Sequence, residues 1–263
     1  MNKSRPPGQA EKSSQLAQRS KVRFDAAAPT VLITGANRGL GLEFARQYAA
    51  LGWNVIATCR EPELAAELLA IKALHPQVSI DQLDITRDDQ VADLARLYAG
   101  MPVDVLLNNA GIYGTLAEQS LASFNFEELK RVFDINTIGA LRVSQAFIDN
   151  VLASEQKKII SLGGGMGTQS IGSAFGGHYF MKMSKAAHLM AMGILQTETR
   201  EQGIVVVMVS PGRVDTRLMR DSGWTGAALS PTESARRVIA RIAALEPAMH
   251  GRLVTCDGQI VPW

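Results

Sequence analysis

The stretch Val31-Leu-Ile-Thr-Gly-Ala-Asn-Arg-Gly-Leu-Gly-Leu42 constrains this chain more than any other. An apolar run from Thr30 to Thr34 stops at Gly35. Gly39 and Gly41 then lead into a segment, Leu42 to Leu51, in which Phe44, Ala45, Tyr48 and Ala49 recur at helical spacing. Strand, glycine turn and helix together offer unpaired backbone N–H groups and the positive end of a helix dipole to an anion. A Cβ at Gly39 or Gly41 is expected to hold a pyrophosphate away from those N–H groups. The spacing is Gly-x-x-x-Gly-x-Gly rather than Gly-x-Gly-x-x-Gly, and glycine turns also join strands to helices where no ligand binds.

The rest of the chain repeats the strand–helix alternation. Strands are predicted at Asn54–Thr58, Val78–Leu83, Val103–Leu107, Lys158–Leu162, Ile204–Val209 and Arg252–Cys256, seven with the first. Helices are predicted over Glu61–Leu74, Asp88–Tyr98, Phe126–Leu152, Tyr179–Arg200 and Thr232–Leu245. Strands that are apolar along their whole length and alternate with helices imply an α/β fold: one doubly wound parallel sheet covered on both faces. Ligands are then expected beyond the carboxyl ends of the strands. Unusual residues gather at that edge: Asp84, Asn108-Asn109-Ala110-Gly111, Gly163-Gly164-Gly165 and Ser210-Pro211-Gly212, with Thr216 close behind.

Composition narrows the class. The 263 residues are 46% hydrophobic and 20% charged, as in a globular protein with one large domain. A net charge of +2 argues against a dedicated nucleic-acid binder, and no apolar run reaches the roughly 18–20 residues of a membrane span. The two cysteines, Cys59 and Cys256, end predicted strands and suggest a reducing compartment, the cytoplasm. Residues 1–25 carry six basic against two acidic side chains, so residues 1–28 read as a disordered basic extension before a domain at 29–263. His75, His188 and His250 show no metal-ligand spacing, and no metal is expected. No Gly-x-Ser-x-Gly nucleophile elbow occurs.

Taken together, Thr34-Gly35…Gly39-x-Gly41, Asn108-Asn109-Ala110-Gly111, Asn136, Ser184-Lys185 and Pro211-Gly212…Thr216 resemble the short-chain dehydrogenase/reductase family. The strings Thr34–Glu43, Met183-Ser-Lys-Ala-Ala187 and Asp257–Trp263 resemble its carbonyl-reductase-like and C-factor-like branch. The resemblance implies a Rossmann-type domain that binds a nicotinamide dinucleotide, usually as a homodimer or homotetramer. By position, Gly35, Asn37, Arg38, Gly39, Leu40 and Gly41 would form the pyrophosphate turn. Asp84 and Ile85 would meet adenine. Asn109, Ala110 and Gly111 would border the adenosine ribose, and Pro211, Gly212, Val214 and Thr216 would flank the nicotinamide. Lys185 would bond its ribose, with Asn136 supporting a water beside that lysine. The second strand ends in Thr58-Cys59-Arg60 with no acid to accept from ribose hydroxyls. Arg60 and Arg38 suit a 2′-phosphate, which favours NADP(H) over NAD(H).

The same resemblance marks a break. The family's acid–base tyrosine lies four residues before the lysine, and here that residue is Met181. Its serine slot falls at Gly164. Tyr179 lies six residues before Lys185, off its helical face, and reads as a pocket-wall residue unless the helix starts late. His178 could supply a proton near neutral pH, or simply lie at a helix start. Tyr113 reads either as facing the substrate or as packing. Met166, Met181 and Met183 make the pocket apolar, suiting a small apolar substrate, or else are core filler. Three functions remain open. One is a reductase with a remodelled acid, acting on an apolar carbonyl, enone or imine. The others are a catalytically silent nucleotide-binding protein and a non-redox isomerase or cyclase.

Overall fold

The structure, a computed structural model, describes residue 22, residues 24–174 and residues 176–263. Among these, the strands are β1 (Thr30–Thr34), β2 (Asn54–Cys59), β3 (Val78–Gln82), β4 (Val105–Asn108), β5 (Lys158–Leu162), β6 (Val205–Ser210), β7 (Leu253–Thr255) and β8 (Ile260–Val261). They form one sheet in the order β3-β2-β1-β4-β5-β6-β7-β8. Every neighbouring pair is parallel until β7 meets β8, which runs antiparallel. β8 was not expected, since two residues are too short to show a period.

Alternation along the strands explains why both faces are covered. In β1, Val31 and Ile33 enter one core with Phe44, Tyr48 and Val238, while Leu32 enters the other with Phe147, Leu189 and Met192. The first face carries helices α1 (Gly39–Ala50), α2 (Ala66–Leu74) and, near the end of the chain, Pro231–Ala243. The chain order reverses between β1 and β4, so the crevice for a ligand opens there.

Two predicted helices are broken. The helix expected from Glu61 begins only at Ala66, after a short turn at Pro62–Leu64, because Pro62 starts a tighter turn and no side chain caps the α2 start. The long helix over Phe126–Leu152 divides into α4 (Phe126–Phe133), a π-helical turn (Asp134–Ile138), α5 (Gly139–Ala146) and α6 (Ile148–Leu152). Such single π turns recur at functional sites, and this one carries Asn136. The remaining helices are α3 (Asp88–Leu97), a four-residue turn of helix at Gln169–Gly172, α7 (Tyr179–Thr199), α8 (Arg217–Asp221) and α9 (Pro231–Ala243).

Residues 1–21 and 23 of the expected disordered extension lie outside the described residues. Its last residues are docked: Asp25 N–H donates to Asn54 Oδ1 at 3.0 Å, Asn54 Nδ2 donates to Asp25 O at 2.8 Å, and Phe24 packs on Tyr98.

Candidate active site

The glycine turn after β1 is fastened from two sides. Thr34 Oγ1 accepts from the N–H groups of Asn109 and Ala110, each at 3.0 Å, and Asn109 Nδ2 donates to Thr34 O at 2.7 Å and Gly35 O at 3.1 Å. Ala36 N–H donates to Thr58 O at 2.8 Å, tying the turn to the end of β2. Gly35 and Gly39 adopt left-handed backbone, with φ of 68° and 54°, which only glycine takes without strain. Gly41 carries a packing demand of its own: a Cβ there would lie 2.1 Å from Gly35 O and 2.6 Å from Asn109 Nδ2. It lets α1 close against the turn.

Helix α1 begins at this turn without a cap. Arg38 stands at its N-cap position with no side-chain bond to the first turn, and no acid occupies that turn. Its leading N–H groups and dipole therefore point outward. Asn37, Arg38 and Arg60 are exposed there, and Leu40 rests on the core below. Next to it, Asp84 Oδ1 accepts from Thr86 N–H and Oγ1, folding its carboxylate into its own turn. Buried Ile85 offers its carbonyl to Arg142 at 2.7 Å.

The π turn aims Asn136 at the end of β4. Its Oδ1 accepts from Ile112 N–H at 2.9 Å, and its Nδ2 donates to Ile112 O at 2.9 Å and Ser184 Oγ at 3.0 Å. The side chain thus spends its bonds locking the Gly111–Ile112 strand end onto α7. Lys185 arrives at the same point. A Cβ on Gly111 would lie 3.3 Å from Asn136 Oδ1 and 4.0 Å from Lys185 Nζ, while that Nζ donates to Leu162 O at 2.9 Å. Burial pulls the Lys185 ammonium down to about 8.

The glycines after β5 serve two different ends. A Cβ at Gly163, Gly165 or Gly167 would sit 2.5 Å from Met208, 2.4 Å from Ile171 or 2.7 Å from the Lys185 backbone, so these three let the loop lie against the sheet, its own turn at Gln169–Gly172 and α7 respectively. Gly164 is free of that demand. Its backbone is extended, and a Cβ would find only Ser210 Oγ at 3.9 Å. Met181, one turn before Lys185 on α7, is buried.

At the start of α7, Tyr113 Oη lies 2.6 Å from His178 Nδ1. Burial pushes the Tyr113 hydroxyl up to about 12, and burial followed by the nearby Lys182 charge lowers His178. Tyr179 opens the helix itself, so no late start brings it toward Lys185. Its ring packs edge-on against Phe124 at 5.4 Å. Sequence reasoning missed Gln119, buried in a polar loop without a motif. Its Nε2 donates to Tyr113 O at 3.0 Å and its Oε1 accepts from Phe180 N–H at 2.9 Å. It also missed the setting of His188, one turn past Ser184 on α7. That ring is buried with neither nitrogen bonded, and desolvation with the Lys185 charge keeps it neutral.

The β6 end closes the site. Val214 is buried and bridges to Leu229, while Pro211 O accepts from Ser234 Oγ at 2.8 Å. Gly212, with φ of 82°, turns the chain toward Thr216, whose Oγ1 caps α8. Thr216 Cγ2 lies 3.4 Å from where a Cβ on Gly39 would stand, so the glycine turn and the β6 loop meet although their strands are not neighbours. Among the described residues no group of three His, Cys, Asp or Glu side chains is placed to hold a metal, and no helix is long and apolar enough to cross a membrane.

Comparison with known proteins agrees with this geometry. The family profile for short chain dehydrogenase matches residues 29–225. The C-signal of Myxococcus xanthus is 35% identical over 162 residues, covering 62% of this chain and 93% of its own. The 1-hydroxy-2-glutathionyl-2-methyl-3-butene dehydrogenase of a Rhodococcus strain is 29% identical over 242 residues, 89% of this chain and 99% of its own. Among solved structures, an NADPH-bound carbonyl reductase from chicken fatty liver superposes with a TM-score of 0.82 at 27% identity, covering 90% of this chain and 99% of that one. With its glycine turn, Asn136 and Lys185 drawn to one sheet edge, this chain belongs to the short-chain dehydrogenase family.

Proposed function

We propose that the protein is an NADP(H)-dependent oxidoreductase that reduces a small apolar carbonyl, enone or imine without the family's serine and tyrosine acid. The observation that carries this reading is the uncapped start of α1 over a turn closed by Asn109, with Lys185 and Asn136 at the adjoining strand end. The residues present fit a dinucleotide. Gly35, Asn37, Gly39, Leu40 and Gly41 would form the turn that receives the pyrophosphate, and Arg38 and Arg60 would pair with a 2′-phosphate. Asp84 and Ile85 would border adenine, with Asn109, Ala110 and Gly111 along the ribose. Pro211, Gly212, Val214 and Thr216 would hold the nicotinamide end, and Lys185 would bond its ribose. When bound, a reduced nicotinamide supplies hydride. This chain's own residues orient the acceptor and exclude water, and proximity alone contributes several kcal/mol.

A catalytically silent nucleotide-binding role has its own support: Gly164 and Met181 offer no proton where the family pattern expects a serine and a tyrosine, and packing does not require glycine at 164. A homodimer or homotetramer is part of the proposal, supported by an exposed apolar stripe of Met183, Met190 and Ile194 along α7. The free, buried thiols of Cys59 and Cys256 support a cytoplasmic setting.

Fluorescence titration with NADPH and separately with NADH tests the cofactor assignment. NADPH should bind at least about tenfold more tightly, a difference of about 1.4 kcal/mol. Binding of neither nucleotide overturns the assignment. Gly164→Ser combined with Met181→Tyr then separates the two readings, because ordinary ketone reduction arising only in the double variant supports the silent one.

A further inference from the structure

The loss of donors at positions 164 and 181 directs attention to the polar groups one helical turn away. His178 precedes Met181 by three residues, and Lys182 N–H donates to His178 O at 3.0 Å, so His178 belongs to the opening turn of α7 on the face nearest Met181. Its ring meets Tyr113 from the loop after β4: Oη to Nδ1 is 2.6 Å, and the rings stand edge-to-face at 5.9 Å. Tyr113 is two residues beyond Gly111, on the strand end that Asn136 clamps beside Lys185. The pairing is held from both sides, since Gln119 bonds the Tyr113 carbonyl with one atom of its amide and the Phe180 N–H with the other. His178 also adopts left-handed backbone, φ 58°, which among the described non-glycine residues only Lys157 shares. Such conformations persist where surrounding structure over-determines them, and they gather at functional sites.

We propose that the Tyr113 hydroxyl is the proton donor of this site and that His178 is its positioning residue, a role that rests on the hydride-transfer reading above. With the dinucleotide bound, its reduced nicotinamide would supply hydride to the substrate's carbonyl carbon and be oxidised in doing so, the C=O π electrons passing to the oxygen. The oxygen then takes the Tyr113 proton. His178, carrying its own proton on Nδ1, donates to the phenol oxygen, which turns the hydroxyl proton outward and stabilises the tyrosinate that forms. Solvent returns the proton. Burial keeps the Tyr113 hydroxyl protonated, so the donor stands in its acid form, and the hydrogen bond from His178 offsets the weaker acidity that burial brings.

Three measurements on the full-length protein test this. First, ¹H–¹⁵N NMR of the nucleotide-free wild type should find the His178 proton on Nδ1, with that resonance shifted in Tyr113→Phe; a proton on Nε2 alone overturns the assignment. Second, NADPH affinity should change less than about twofold in Tyr113→Phe and in His178→Asn, the latter keeping a residue that tolerates left-handed backbone. Third, with isatin as probe, kcat should fall about 100-fold in Tyr113→Phe and about tenfold in His178→Asn, with KM unchanged. Wild-type turnover in Tyr113→Phe overturns the donor role alone. A wild type that binds NADPH yet never reduces isatin overturns both the donor and the hydride-transfer reading, and one that binds no NADPH overturns the cofactor assignment beneath them.

Discussion

The two halves of the carboxyl edge differ in how completely their sequence commits them. Around β1, β2 and β4, each structural demand of a phosphate turn is met: two left-handed glycines, a third packed on Gly35 O, an asparagine closing the loop, and a helix start left uncapped. Around β5 and α7, the scaffold is as tightly built, with Asn136 and Gly167 fastening the strand ends to the helix beside Lys185, yet Gly164 and Met181 carry no proton. The first half is constrained by backbone, which a substitution cannot easily relieve. The second half is constrained by backbone too, but its chemistry depends on side chains that can change while the packing stays. Binding and reaction are therefore separable on one fold.

The sharpest way to break this contrast is Gly41→Val. The new side chain would overlap Gly35 O and the Asn109 amide, backbone and a buried bond that cannot swing away. It should cost on the order of 3 kcal/mol or more and abolish NADPH binding, read by thermal unfolding and fluorescence. A folded variant that still binds would show the turn to be plastic. Next, Arg38→Ala with Arg60→Ala should weaken NADPH about 100-fold, roughly 2.7 kcal/mol, while leaving NADH unchanged. Equal losses for both nucleotides would remove the 2′-phosphate assignment.

On the other half, Lys185 sets a pH dependence. Its folded value of about 8 lies below the ordinary 10.5, so between those pH values the unfolded chain holds a proton the folded chain has released. Stability from this group therefore rises with pH across that window, and the penalty is complete below it. Lys185→Met should stabilise the protein at neutral pH by on the order of 2 kcal/mol and flatten the alkaline rise in denaturant midpoint. The smallest effect is expected at His188, whose two ring nitrogens are buried without partners. His188→Met should be neutral or stabilising by up to about 1 kcal/mol, because it removes desolvated polar atoms at similar volume. Clear destabilisation in thermal unfolding would instead indicate an ordered water on that ring.

Much of the fold could be read from sequence because its signals are local. A run such as Ile204–Val209 or Lys158–Leu162 is apolar at every position only if both faces are covered, and glycine spacing announces a turn whose backbone other residues avoid. The proposed departure at Met181 and Gly164 also rests on sequence alone, on the count back from Lys185 and on the alignment of Lys158–Leu162 with the family's strand. What the tertiary structure decided was contact between distant segments. That Gly41 packs on Gly35, that Thr216 meets Gly39, and that Asn136 spends its amide on Ile112 and Ser184 depend on strands brought together by crossover order. Tyr113 and His178 are 65 residues apart, and neither carries a pattern pointing to the other. Side-chain hydrogen bonds form wherever the packed backbone leaves two polar groups within reach, and a one-dimensional period holds no record of that distance.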